Sequence, residues 1–135
     1  MLPNIKKILY ATGMGAGAPH VFRYTLALAK QHDADIIAVS ALEPLSNFAQ
    51  SLVELHISHQ EAAELHLKAR NQARERLRER IERLLAKECG SDPQCTGRVS
   101  EIRIDEGQPA QVVLTAAREY DVDLIVMGAH RHTVL

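Results

Sequence analysis

Val122-Asp123-Leu124-Ile125-Val126-Met127-Gly128-Ala129-His130 is the stretch that decides the fold. Four consecutive large apolar residues, Leu124 to Met127, need cover on both faces, which describes a central strand of a parallel sheet. Glycine follows at once, where backbone turns sharply or passes close to a neighbour. Near the N-terminus Ile8-Leu9-Tyr10-Ala11-Thr12-Gly13 has the same design, an apolar strand running into small residues. In open parallel sheets ligands sit beyond the carboxyl ends of the strands, where strand order reverses. Two such ends on neighbouring strands would frame a binding crevice.

Between these segments the elements alternate. A strand over residues 7–11 leads into the glycine-rich stretch Thr12 to Ala18 and then Pro19, a residue suited to the first turn of a helix. That helix runs to about Lys30. Val21, Tyr24, Thr25 and Leu28 form one stripe, with Phe22, Leu26 and Ala29 beside it. Asp35 to Ser40 is a second apolar strand, which completes a βαβ unit with a right-handed crossover. From about Ser51 to Glu88 the chain is helical, with a narrow apolar stripe of Ala73, Leu77, Ile81, Leu84 and Leu85. The many charges around that stripe read as a solvated face laced with i,i+4 pairs. Val99 to Ile104 alternates apolar and polar and reads as a half-exposed edge strand. After Glu106-Gly107-Gln108-Pro109 a helix over about 110–120 turns Val112, Val113, Ala116 and Ala117 inward. The order β-α-β-α-β-α-β specifies an α/β fold, an open twisted parallel sheet, doubly wound and Rossmann-like, in a single domain over residues 1–135.

The chain has 135 residues and a formal net charge of -1, which gives no electrostatic case for nucleic acid. No run approaches the ~20 apolar residues of a spanning helix, and the N-terminus lacks the pattern of a secretory signal. The expected location is therefore the cytoplasm, with no membrane partner. Cys89 and Cys95, in Cys-Gly-Ser-Asp-Pro-Gln-Cys, read as free thiols in a surface loop, a redox pair or disulfide being the alternative. Two ligands are too few for zinc. His56, His59 and His66 lie within about 80° of one helix face, but His66 is too far along to complete a metal site with the other two. They read as exposed helix histidines, and no metal site is assigned.

Gly13, Gly15 and Gly17 make G-x-G-x-G after the first strand. A dinucleotide fingerprint, G-x-G-x-x-G, would need its third glycine at Ala18, and an acidic residue where the second strand ends in Ser40 and Ala41. A G-x-x-x-x-G-K-[ST] phosphate loop is absent. There is no nucleophile elbow, no carboxylate pair at motif spacing and no catalytic residue to name.

The chain as a whole resembles the universal stress protein family. The resemblance rests on Lys7-Ile8-Leu9-Tyr10-Ala11, on Ile36 to Val39, and on Glu106-Gly107-Gln108-Pro109 leading into Val112-Val113-x-x-Ala116. Asp123-Leu124-Ile125-Val126-Met127-Gly128 completes it. It implies adenine-nucleotide binding, with ATP or AMP as ligand and magnesium accompanying it. Ala11, Val39 and Met127 match the positions of the base slot, and Gly107, Gly128 and the small residues from Gly13 onward suit a bound nucleotide. Family members that bind ATP carry G-x-x-G-x(9)-G-[ST] after the fourth strand. Its first glycine is Gly128, its second falls on Arg131, and its remainder, with a fourth helix and fifth strand, lies beyond Leu135. The family's acidic residue at the end of the first strand corresponds to Thr12. Arg131 can still bind phosphate through its guanidinium, with His130 and His132 beside it.

The resemblance further implies a small regulatory domain of the stress response, a homodimer acting with an unidentified regulatory protein rather than by rapid turnover. Slow ATP hydrolysis is compatible with that role. Arg131 and Thr12 favour the alternative, a nucleotide-independent interaction module of the same fold. An enzyme acting on an adenylated substrate would need an intact phosphate loop.

Overall fold

The computed structural model describes residues 2–44, 55 and 58–129. Strand β1 spans Lys7–Ala11, helix α1 Ala18–His32, β2 Asp35–Leu42, α2 His59–Cys89, the one-turn helix α3 Pro93–Thr96, β3 Val99–Glu106, α4 Pro109–Glu119 and β4 Leu124–Met127. The strands form one parallel sheet in the order β3-β2-β1-β4. The chain builds outward from β1 to β3, then returns to place β4 on the other side of β1. The reversal falls between β1 and β4.

Helices α1 and α2 cover one face. Ile8, Tyr10, Ile36 and Ala38 of the sheet meet Phe22, Ala29, Ile81, Leu84 and Leu85 there. The Tyr10 and Phe22 rings meet edge to face, their centroids 5.4 Å apart. The other face packs against α4, where Leu9, Ala11, Ile37 and Val39 meet Val112 and Ala116. Ser58 caps α2 by accepting from the Glu61 amide at 3.1 Å. Asp123 pins β4 to β1: its Oδ2 accepts from the amides of Lys6 and Lys7 at 2.8 and 3.0 Å, and its own amide donates to the Lys7 carbonyl.

Four expectations need correction. Among the described residues strand β4 is covered on one face only: Leu124 and Val126 pack against the α1 side, whereas Ile125 and Met127 are exposed. One short helix cannot span four strands, and α4 sits over β2 and β1. The buried stripe of α1 is Ala18, Phe22, Thr25 and Ala29, with Tyr24 exposed. His66 is half-buried, and its Nε2 is buried; His56 and the His59 side chain lie outside the described residues. Cys89 and Cys95 form a disulfide with their Cα atoms 5.2 Å apart. Both belong to the α1–α2 core, because α3 folds the loop back under the end of α2. As expected, β3 is an edge strand. Among the described residues no helix is long and apolar enough to cross a membrane.

Candidate functional site

The β1–β4 ladder ends with Ala11 opposite Met127, and on its other side Ala11 pairs with Val39. Paired residues in parallel strands point to the same face. The three residues assigned to a base slot therefore stand in a row at the carboxyl end of the sheet, on the α4 side. They are not equally accessible. Val39 is fully buried and Ala11 is 8% exposed, while Met127 is 57% exposed. Ala11 and Val39 can form only the floor of a slot, and Met127 supplies its open apolar wall.

Polar groups are available just beyond. Gly13 and Gly128 follow the last ladder residues of β1 and β4, and among the described residues neither amide donates a backbone hydrogen bond. The neighbouring groups are already engaged. The Thr12 amide donates to the Val39 carbonyl at 3.0 Å, and the Ser40 hydroxyl donates to the Thr12 carbonyl at 2.6 Å. The Thr12 hydroxyl oxygen accepts from the Met14 amide at 3.0 Å, so this side chain shapes the loop rather than standing ready for a ribose. Tyr10 steadies the loop from beneath by donating to the Ala18 carbonyl at 2.7 Å. Burial pushes its phenol above the ordinary value, with the Thr12 hydroxyl acting in the opposite direction.

The glycines serve different ends. In the 13–17 stretch Met14, not glycine, takes a left-handed conformation, with φ 58°. Gly107 does need its freedom: its φ is 149°, and its amide donates to the Leu42 carbonyl where β3 leaves the sheet. A Cβ at Gly128 would lie 3.2 Å from Cγ2 of Val21. Glycine at 128 thus lets β4 approach α1 closely, and a larger residue there would press on that helix rather than fill the crevice. His130, Arg131 and His132 lie outside the described residues. Sequence reasoning missed Ser40, which braces the Thr12 turn; a lone serine ending an apolar strand was its only signal.

The structure thus brings Ala11, Thr12, Gly13, Val39, Met127 and Gly128 to one end of the sheet, around the point where strand order reverses. Gly107 stands apart at the end of the edge strand. Among the described residues no group of three or more His, Cys, Asp and Glu could hold a metal. The arrangement is an apolar row with two backbone amides beside it that donate no backbone hydrogen bond among the described residues, suited to a flat base rather than to covalent chemistry.

A family model described as universal stress protein family matches residues 4–135. Among solved structures, universal stress protein UspA from Lactobacillus plantarum superposes with a TM-score of 0.62 at 18% identity, covering 98% of this chain and 82% of that one. The hypothetical protein MJ0577 gives 0.66 at 20% identity, covering 95% and 77%. A universal stress protein in complex with cAMP gives 0.53 at 19% identity, covering 92% and 76%. No curated protein matches the sequence.

Proposed function

The chain belongs to the universal stress protein family, and from that premise we propose that it is a regulatory domain that holds an adenine nucleotide in the recess between β1 and β4. The observation that carries this is the row Val39–Ala11–Met127 ending beside the unspent amides of Gly13 and Gly128. The base lies on Met127 and takes its polar contacts from backbone, and the phosphates lie beyond Gly128. The related protein solved with cAMP supports an adenine ligand. Regulation proceeds through a homodimer and a protein partner in the cytoplasm, with magnesium accompanying ATP when ATP is bound.

Affinity is weak, in roughly the micromolar to millimolar range, or about -8 to -4 kcal/mol. Arg131 replaces a glycine that would cradle phosphate, so AMP and ATP bind within about tenfold of each other, 1.4 kcal/mol. Calorimetry with both nucleotides tests this. Met127→Asp should weaken both together, whereas Arg131→Gly should change the ATP-to-AMP ratio more than the affinity for AMP. Tight, magnesium-dependent preference for ATP would overturn the weak-cradle reading. No binding of either nucleotide at millimolar concentration would favour the nucleotide-independent module, for which the engaged Thr12 hydroxyl already speaks.

A further inference from the structure

On the opposite face of the sheet, the glycine-rich loop and α2 flank an open cleft of about 370 Å³ that the nucleotide site does not use. Its loop side is formed by Met14, Gly15 and Ala16 and the start of α1; its helix side carries Arg80, Arg83, Leu84 and Lys87. Arg80, Leu84 and Lys87 fall within about 60° around the helix axis, and Arg83 flanks them by a similar angle. One stripe of α2 thus presents three cations around an apolar floor, Leu84 being buried. The Arg80 guanidinium donates to the Met14 carbonyl at 3.1 Å, which fixes it at the mouth between loop and helix.

The charge here is unbalanced. Among the described residues, Arg80, Arg83 and Lys87 make no ion pair. The one acid in the lining, Glu88, is held in a two-bond fork by Arg23 at 2.8 and 3.0 Å. That partner keeps the Glu88 carboxyl below its usual range, so it stays ionised and engaged. No acidic residue lies in the first turn of α1. Three cations without an ion pair among the described residues line a small cleft whose one carboxylate is engaged by Arg23, in a chain whose net charge is -1, and together they favour an anion there. Guanidinium groups match phosphoryl oxygens through paired N–H bonds, and a lysine adds a point charge.

We propose that this cleft is a second ligand site, distinct from the nucleotide recess, that binds the phosphoryl group of a small soluble phosphorylated molecule. The group sits over Leu84 between Arg83 and Lys87, with Arg80 linking it to the glycine-rich loop. Because that loop begins at Thr12 and Gly13, the rim of the recess, an occupant of the cleft bears on the recess from behind. The volume, near the lower end of small-molecule sites, fits a pyrophosphate or compact sugar phosphate better than a whole dinucleotide.

The probe is pyrophosphate, titrated at low ionic strength into the full chain and followed by amide NMR shifts. The expected result is saturable binding below about 1 mM, where surface charge is least screened. Shifts should centre on Ala16, Arg83 and Lys87, while AMP moves Ala11, Gly13 and Met127. Arg83→Glu with Lys87→Glu should weaken pyrophosphate at least tenfold and leave AMP affinity within twofold. Both side chains are exposed and stand outside the hydrophobic core of the described residues. Should that variant fold poorly, Arg83→Gln with Lys87→Gln gives the same reading without added acid. Shifts scattered over the α2 surface, or an affinity unchanged in both variants, would overturn the site. Pyrophosphate shifts that coincide with those of AMP would also overturn it while leaving the nucleotide recess intact. Binding to phosphatidylglycerol vesicles without pyrophosphate binding would likewise overturn it, in favour of a membrane surface.

Discussion

A methyl group added at Gly128 would sit 3.2 Å from Cγ2 of Val21, tighter than packed side chains tolerate without movement. Gly128→Ala should therefore cost about 1 kcal/mol, and Gly128→Val more, as overpacking does. Val21→Ala should relieve part of that cost, so the double variant is less destabilised than the sum of the singles by at least ~0.5 kcal/mol. Urea unfolding followed by far-ultraviolet circular dichroism checks this, and strict additivity would count against it. At this scale the sequence was partly legible. A glycine after an apolar strand signalled a close approach, yet it did not say that the neighbour would be Val21 rather than a ligand. The row of Ala11, Val39 and Met127 was legible through family resemblance. Their unequal exposure was not, because it depends on where α4 lies. The left-handed residue of the first loop could not be read either: three glycines offered themselves, and Met14 was chosen because the Thr12 hydroxyl catches its amide.

The joint between α2 and β3 is the element whose character changed most. Asp92 caps α3 by accepting from the Gln94 amide at 2.9 Å, and Lys30 holds the same carboxylate from α1. The folded-back turn buries Cys95 completely and brings it to Cys89. Spacing alone described a polar loop, since a one-turn helix has no periodicity to detect. Closing so short a loop stabilises the protein by about 2 kcal/mol in the chain-entropy picture. Reduction, or Cys95→Ser, should then lower Tm by roughly 5–10 °C, readable by calorimetry with and without reductant. An unchanged Tm would show that the bridge contributes nothing. The joint between β1 and β4 makes a different prediction. Two backbone amides hold the Asp123 carboxyl below its usual range. Its unfolded value is about 3.9, so the stability it adds is complete above that pH and is lost as pH falls through the lower folded value. Asp123→Asn should flatten the acid limb of the stability profile below about pH 5, and a limb identical to that of the unaltered chain would exclude this role.

For the whole molecule, the exposed side chains Ile125 and Met127 lie on the strand at one edge of the sheet, with Leu114 of α4 also exposed. Unprotected edges with apolar faces invite pairing. The proposed homodimer should use this edge, and Ile125→Lys should shift sedimentation toward the monomer; an unchanged dimer would move the interface elsewhere. Edge position was legible for β3, whose alternating sequence announced one wet face. It was illegible for β4, because an apolar run looks the same whether or not a helix covers it. The position of β4 also has a meaning in time. Asp123 meets Lys6 and Lys7 across sequence separations of 117 and 116, so the β1–β4 seam is the longest-range pairing of the sheet. Bringing such distant segments together costs about 4 kcal/mol of loop entropy before any contact repays it. On the ribosome β1 must wait for β4, and it stands with one flank bare until residue 127 has emerged. The recess does not exist before that moment. A nucleotide can therefore clamp only a chain folded through residue 127, and it should slow hydrogen exchange most at the β1–β4 seam, where segments made far apart in time meet.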